Sequence, residues 1–395
     1  MKPDPLVLAL ADAARHDLSC ACGPTGRTRG GAGGWIYPAS LPDGRTTPIM
    51  KVALSTACER NCTYCALRAG RDSRRTSLSP DRLASTFEEI HRAGIAHGLF
   101  LTSAIRGGPI ATMDRLIATA EILRRRRGFR GYLHLKVMPG CERAQVERAA
   151  RLATRLSVNL EAPTAEHLAA ICPRKGFESE IMTSVRWIKE IMDSGSGSAR
   201  SQTTQMVVGA STETDRDIVS RAGDLYGTWG MSRVYYSKFQ PEPGTPLEGR
   251  DPAPFLREHR LYQADFLIRK YGFRAGEIPF DPGGNLSTER DPKEAWADLH
   301  PEAFPLEVNR ADREALLRVP GIGPDGADRI IARRISRKLR LPADLGMAAH
   351  LASRAAPYLL FDGKAAPRQM DLFAGRPDPL RGRRSPLQPV STACE

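Results

Sequence analysis

The sequence predicts an α/β fold of parallel strand–helix units followed by a small helical module. Three observations carry that expectation. Between residues 48 and 241, short apolar runs rich in β-formers alternate with amphipathic helical segments, giving six strands. The helical segments bring their own start and stop signals: "SPDRLASTFEEIHRAG" (79–94) opens on a Ser cap with Pro behind it and closes on Gly. Past about residue 305 the strand-like runs give way to short helical patterns around "VPGIG" (319–323).

In chain order, residues 1–49 read as an irregular N-terminal extension. "PDPLVLALADAARHDL" there can form a short helix, and "GPTGRTRGGAGG" is a loop by composition. The core follows over 50–250. "PIMKVALSTA" (48–57) is nearly continuously apolar, as a buried strand must be, and runs into a cysteine loop. The remaining strands are "HGLFLTSA" (97–104), "GYLHLKVMP" (131–139), "RLSVNLEAP" (155–163), "TTQMVVGA" (203–210) and "RVYYSKFQP" (233–241). Helical patterns separate them, as parallel pairing requires, so the loops at the strand carboxyl ends gather in one place. Residues 251–304 read as a helix and a Pro/Gly-rich connector that complete this core, 305–364 as an all-α module, and 365–395 as a disordered tail rich in Pro and Arg.

Lys and Arg total 58 against 45 Asp and Glu, a net charge of +13 over 395 residues, which favours a polyanionic partner such as nucleic acid. No apolar run approaches the ~18 residues of a spanning helix, and no signal-peptide pattern follows Met1. A cytoplasmic protein with no membrane partner is expected. Thiols stay reduced there, so clustered cysteines point to metal rather than disulfides.

The cluster is "CERNCTYC" (58–65), a C-x3-C-x2-C run holding Cys58, Cys62 and Cys65. Structural zinc sites commonly add a second C-x2-C pair or His ligands, and no equally spaced second pair exists here. A [4Fe–4S] cluster on three cysteines leaves one iron free for an outside ligand. These cysteines, with Tyr64 before the last, resemble the signature of the radical S-adenosylmethionine superfamily. The resemblance implies a partial (β/α)6 TIM-like barrel, in agreement with the six strands. It also implies a [4Fe–4S] cluster and S-adenosyl-L-methionine as cofactors, an electron donor as partner, and reductive cleavage to a 5′-deoxyadenosyl radical.

The resemblance places cofactor contacts at the strand ends: Tyr64 in the loop, Ser103 where relatives carry a Gly-Gly-Glu, Asn159 and Glu161 in "SVNLEAPT", and Gly209 and Glu213 in "VVGASTE". Arg174 and Lys175 read either as a phosphate contact or as a solvated face. Cys20, Cys22, Cys141 and Cys172 read as ordinary unpaired cysteines or as parts of a second cluster or thiol relay.

"DREALLRVPGIGPDGADRIIARR" (312–334) resembles a helix-hairpin-helix. In that motif Gly321, Ile322 and Gly323 form a tight turn whose backbone approaches a DNA phosphate, with Leu317, Val319, Ile322, Ala327 and Ile330 as its core. Arg333, Arg334 and Arg337 add counter-charge, and Asp325 weakens it. "QMDLF" is similar to the pentapeptide that binds the bacterial sliding clamp, through Gln369, Leu372 and Phe373.

Together these features resemble bacterial radical enzymes of DNA modification or repair. The expected activity is radical chemistry on a damaged or modified nucleotide in DNA. An RNA-modifying radical enzyme and a non-catalytic Fe–S DNA-binding scaffold are the alternatives.

Overall fold

The computed structural model describes residues 5–13, 36–40 and 46–366. The chain divides into two units, with the boundary between Leu261 and Tyr262.

The first unit is built on a seven-stranded sheet in simple chain order. Its strands are β1 (Ile36–Ser40), β2 (Thr46–Ala53), β3 (Gly98–Thr102), β4 (Tyr132–Lys136), β5 (Arg155–Ser157), β6 (Ser201–Val208) and β7 (Arg233–Lys238). β2 to β7 are parallel, and β1 is an antiparallel addition to β2. Parallel neighbours in unbroken order, joined by crossovers of one hand, put the helices on one face and curl the sheet into a partial barrel.

The helices on that face are α2 (Pro80–Arg92), α3 (Gly108–Glu121), α4 (Arg143–Leu152), α5 (Ala165–Ile171), α6 (Thr183–Asp193) and α7 (Asp215–Gly227), with α1 (Pro5–Ala13) packing on β2. Their apolar stripes, among them Leu83 and Phe87 of α2, Met113 and Leu116 of α3, and Ile218 and Ala222 of α7, are fully buried. Ser79 caps α2 by accepting from the Arg82 amide at 3.3 Å, as the sequence pattern predicts.

Two details differ from expectation. Residues 1–50 are not wholly irregular, because "IYPAS" forms β1. An edge strand tolerates proline, and Pro38 faces Pro48 across the pair, where neither has an N–H to lose. The fourth expected strand stops at Ser157. Beyond it the backbone bulges: the Thr204 hydroxyl accepts from the Leu160 amide at 3.0 Å and donates to the Val158 carbonyl at 2.6 Å. Parallel pairing resumes at Glu161, which bridges Met206.

The second unit holds the C-terminal half of α8 (Phe255–Lys270), then α9 (Pro292–Leu299), α10 (Arg313–Arg318), α11 (Pro324–Ser336) and α12 (Ala349–Ala355). Residues 262–304, expected to complete the barrel, cluster instead with this unit. The unit is not all-α either: β8 (Leu306–Glu307), β9 (Leu359–Phe361) and β10 (Lys364–Ala365) make a three-stranded sheet. Strands of two or three residues leave no period to detect. Its core gathers Leu316, Leu317, Val319, Ile322, Ala327 and Ile330 from the α10–α11 hairpin with Leu345, Leu359 and Phe361.

Candidate active site

The cysteine loop leaves β2 at the carboxyl edge of the sheet and is tied on every side. The Leu54 amide donates to the Thr102 carbonyl (2.8 Å), that of Glu59 to Ile105 (2.9 Å), and that of Thr63 to Ile171 (2.8 Å). The Arg75 guanidinium sits inside the loop and donates to the carbonyls of Thr56, Leu67, Arg68 and Arg71 at 2.7–2.9 Å. One planar cation satisfying four loop carbonyls fixes the loop without any disulfide.

Cys58, Cys62 and Cys65 are free thiols that line one cavity of about 170 Å³. Its other walls come from the strand ends: Thr102, Ser103 and Ala104 after β3, Lys136 and Met138 at β4, Asn159 and Glu161 after β5, Gln205 and Val207 on β6, and Ser237 on β7. Two residues back along the strands lies an aromatic and basic layer. Lys51 stands 4.5 Å over the Phe100 ring, Phe100 stacks on His134 at 3.9 Å, and His134 bonds the Ser157 hydroxyl at 2.8 Å.

Glu161 is the hub of the polar wall. Its φ is +67°, which is unusual for a side chain other than Gly, Asn or Asp. The Lys175 ammonium donates to its carboxylate at 2.8 Å, and the Tyr64 hydroxyl bonds it as well. Burial opposes ionisation of Glu161, but Lys175, Lys136 and Tyr64 override it and hold its pKa below the usual carboxylate range. Burial likewise works against the charge on Lys175, and Glu161 with the nearby thiols raises its pKa well above an ordinary lysine. Among the thiols, the Cys172 side chain hydrogen-bonds Cys62 and lowers its pKa, while burial pushes Cys65 up to about 12.

The structure thus brings Cys58, Cys62, Cys65, Tyr64, Ser103, Asn159 and Glu161 to one cavity. Gly209 and Glu213 do not line it. The Glu213 carboxylate accepts from the Gly209 amide at 2.5 Å and the Ser211 amide at 3.1 Å and lies 3.7 Å from Arg257, so it braces the turn after β6. Lys175 is neither a solvated residue nor a free one, as its ion pair shows. Lys136, Lys175, Gln205 and Ser237 were not singled out for the cavity in the sequence. For Lys136, Gln205 and Ser237 the signal was there, since each occupies an inward position near a strand's carboxyl end. Lys175 carries no such signal, because it enters on a turn after α5.

In the second unit Gly321 has φ +86° and Gly323 caps α11 with no side chain of its own, while the Ile322 side chain is buried in the core. The expected arginines are engaged internally. Arg334 donates to the carbonyls of Val308 (3.1 Å) and Ala311 (2.6 Å), Arg333 to that of Asp344 (3.4 Å), and Arg337 pairs with Asp344 at 3.2 Å. Gln369, Leu372 and Phe373 lie outside the described residues.

Residues 52–224 match the model of the radical SAM superfamily. This stretch resembles a radical SAM domain. Members of that superfamily use a [4Fe–4S] cluster and S-adenosylmethionine as cofactors. Among solved structures the chain is similar to methylornithine synthase (PylB), at 16% identity over 56% of this chain and 61% of that one, TM-score 0.45. The FeFe-hydrogenase maturase HydG from Carboxydothermus hydrogenoformans matches at 15% identity over 56% and 51%, TM-score 0.46. A radical SAM methyltransferase from Sphaerobacter thermophilus matches at 15% over 58% and 74%, TM-score 0.41. The chain therefore spans about three fifths of the first and half of the second. No curated protein matches it.

The residues present fit both cofactors. Three thiols and no imidazole face the cavity from the loop, a soft donor set suited to iron–sulfur. Among the described residues no group of three or more Cys, His, Asp or Glu side chains is drawn tight enough for a single metal ion. An amino-acid zwitterion needs one cation and one anion, which Lys175 and Glu161 supply beside the hydroxyls of Thr102 and Ser103. Cys58, Cys62 and Cys65 would hold the cluster, which would supply one-electron reduction of S-adenosylmethionine when bound. Lys175, Glu161, Thr102 and Ser103 would bind the methionyl end, and the apolar walls at Met138, Val207 and Phe239 would limit water there.

Proposed function

We infer that the protein applies radical SAM chemistry to a nucleotide in DNA, in its repair or modification. The observation that supports a DNA substrate is the α10–α11 hairpin. Gly321 and Gly323 frame a turn held by the Ile322 amide donating to the Val319 carbonyl (3.1 Å), and α11 opens with no side-chain cap and Pro324 in its first turn. An uncapped N-terminus after a glycine turn offers backbone amides to a phosphate without reading the base. The positive balance of the chain agrees with a polyanion. A target base in a duplex then has to leave the stack, at about a few kcal/mol, less at a damaged site.

The test is anaerobic reconstitution with iron and sulfide, then dithionite and S-adenosylmethionine, with 5′-deoxyadenosine measured by mass spectrometry. The native protein should form it and the Cys62→Ala variant should not. Duplexes with damaged bases should raise the yield above that with RNA. A rise with tRNA and none with DNA would transfer the reading to RNA modification. The clamp peptide at Gln369 to Phe373 remains part of this proposal, checked by binding of a synthetic 365–376 peptide to a bacterial sliding clamp.

A further inference from the structure

A second depression, of about 560 Å³, lies against the cysteine loop and is lined by Ala57, Cys58, Glu59, Ala69 and Gly70 with Arg71, Arg75, Arg106 and Arg174. Four arginines face one glutamate there. Their bonds run to neutral groups: Arg71 to the carbonyls of Pro243 (2.7 Å) and Ala66 (2.8 Å), Arg106 to the Ser77 hydroxyl (3.1 Å), Arg174 to the Glu59 carbonyl (3.5 Å), and Arg75 to its four loop carbonyls. Glu59, held by the amides of Gly107 and Gly108 at the start of α3 and close to Arg106, offsets one of the four charges. The groove therefore carries a net positive charge.

Cys58 is the single described residue shared by the linings of this groove and of the cofactor cavity. The groove thus touches the cluster's ligand loop without opening on the cavity where hydrogen is abstracted. A nucleotide strand seated in it would reach a cluster ligand but not the cavity. An electron arriving there has one side chain between it and the cluster.

We propose that this arginine groove is the docking surface for a small acidic redox protein that reduces the cluster. This rests on the radical SAM reading of the cavity. The step balances: an anionic flavin hydroquinone in the donor gives up one electron and becomes the neutral semiquinone, and the cluster accepts that electron with no proton moved. Small, charge-steered contacts are what transient electron-transfer pairs use, and they weaken as salt rises.

The test uses the reconstituted full chain and the Arg106→Glu/Arg174→Glu variant, both exposed positions, of which Arg174 makes one long contact with the loop at the Glu59 carbonyl, so iron content is measured beside each. A reduced flavodoxin and a reduced [2Fe–2S] ferredoxin are mixed with each, and cluster bleaching is followed by stopped flow alongside binding by calorimetry. At least tenfold weaker binding and slower reduction by the protein donors are expected, the native binding falling with salt, with reduction by dithionite unchanged. Equal binding and equal rates for the variant overturn the proposal. Loss of DNA affinity with donor binding intact also overturns it and gives the groove to nucleic acid. Failure of dithionite to reduce even the native protein would instead strike the cluster reading itself.

Discussion

At the scale of single residues, the pair Glu161–Lys175 concentrates the cost and the use of the site. Two buried charges 2.8 Å apart add little stability together, yet breaking the pair leaves one charge stranded, at about 3–5 kcal/mol. Lys175→Met should therefore lower the melting temperature and weaken S-adenosylmethionine binding tenfold or more while iron content stays at the native level. Adding Glu161→Gln should recover most of the melting temperature and none of the affinity, measured by calorimetry and cofactor titration. The pH dependence follows the same pair. Glu161 has its folded pKa below the unfolded value of about 4.3, so its contribution is complete above that and is lost as pH falls through the folded value. Lys175 has its folded pKa raised above about 10.4, so its contribution is complete below that and is lost only on the alkaline side. The double variant should lack the acid-side loss in a denaturant titration run at successive pH values.

At the scale of elements, two devices set the loops that matter. Arg75 braces the cysteine loop through four carbonyls, so Arg75→Ala should cut iron bound after reconstitution severalfold, with far-ultraviolet dichroism unchanged. Lys293 in α9 does a comparable service for the glycine hairpin, donating to the Ile322 carbonyl at 2.5 Å beneath the Tyr271 ring, 4.6 Å away. Burial lowers its pKa well below an ordinary lysine, so the unfolded chain binds more protons than the folded one. Stability should then rise with pH from the folded pKa up to about 10, and Lys293→Met should flatten that rise. Neither device was legible beforehand. Both rest on a side chain meeting carbonyls brought near only by folding, and no period or spacing encodes that. What was legible was local: the alternation of β2 to β7 with their helices, the cap at Ser79, and the buried positions of "LRVPGIGPDGADRI". Glu213 lies off the cavity, where a carboxylate four residues after a strand-end glycine braces the turn.

At the scale of the whole molecule, the chain joins a unit that resembles a radical SAM domain to a second unit whose hairpin is the proposed grip on DNA, and the two roles should separate by substitution. Gly321 is the sensitive point: its φ is +86°, and a Cβ there would lie 2.7 Å from the Leu351 carbonyl oxygen. Gly321→Ala should lower affinity for duplex DNA at least tenfold, yet leave deoxyadenosine formation without DNA at the native rate. Because that variant also strains its unit, a gain-of-function partner is needed. Asp325 is exposed in the first turn of α11, where its charge opposes an incoming phosphate. Asp325→Lys removes that repulsion and adds one phosphate contact. A plot of log affinity against log salt should steepen by about 0.9, the slope for one further phosphate neutralised on a duplex. Tighter binding at low salt with that steeper slope supports the hairpin as the DNA grip, since a strained or misfolded unit cannot produce it. An unchanged slope means that phosphates do not approach α11, and the positive balance of the chain then has to act through another surface.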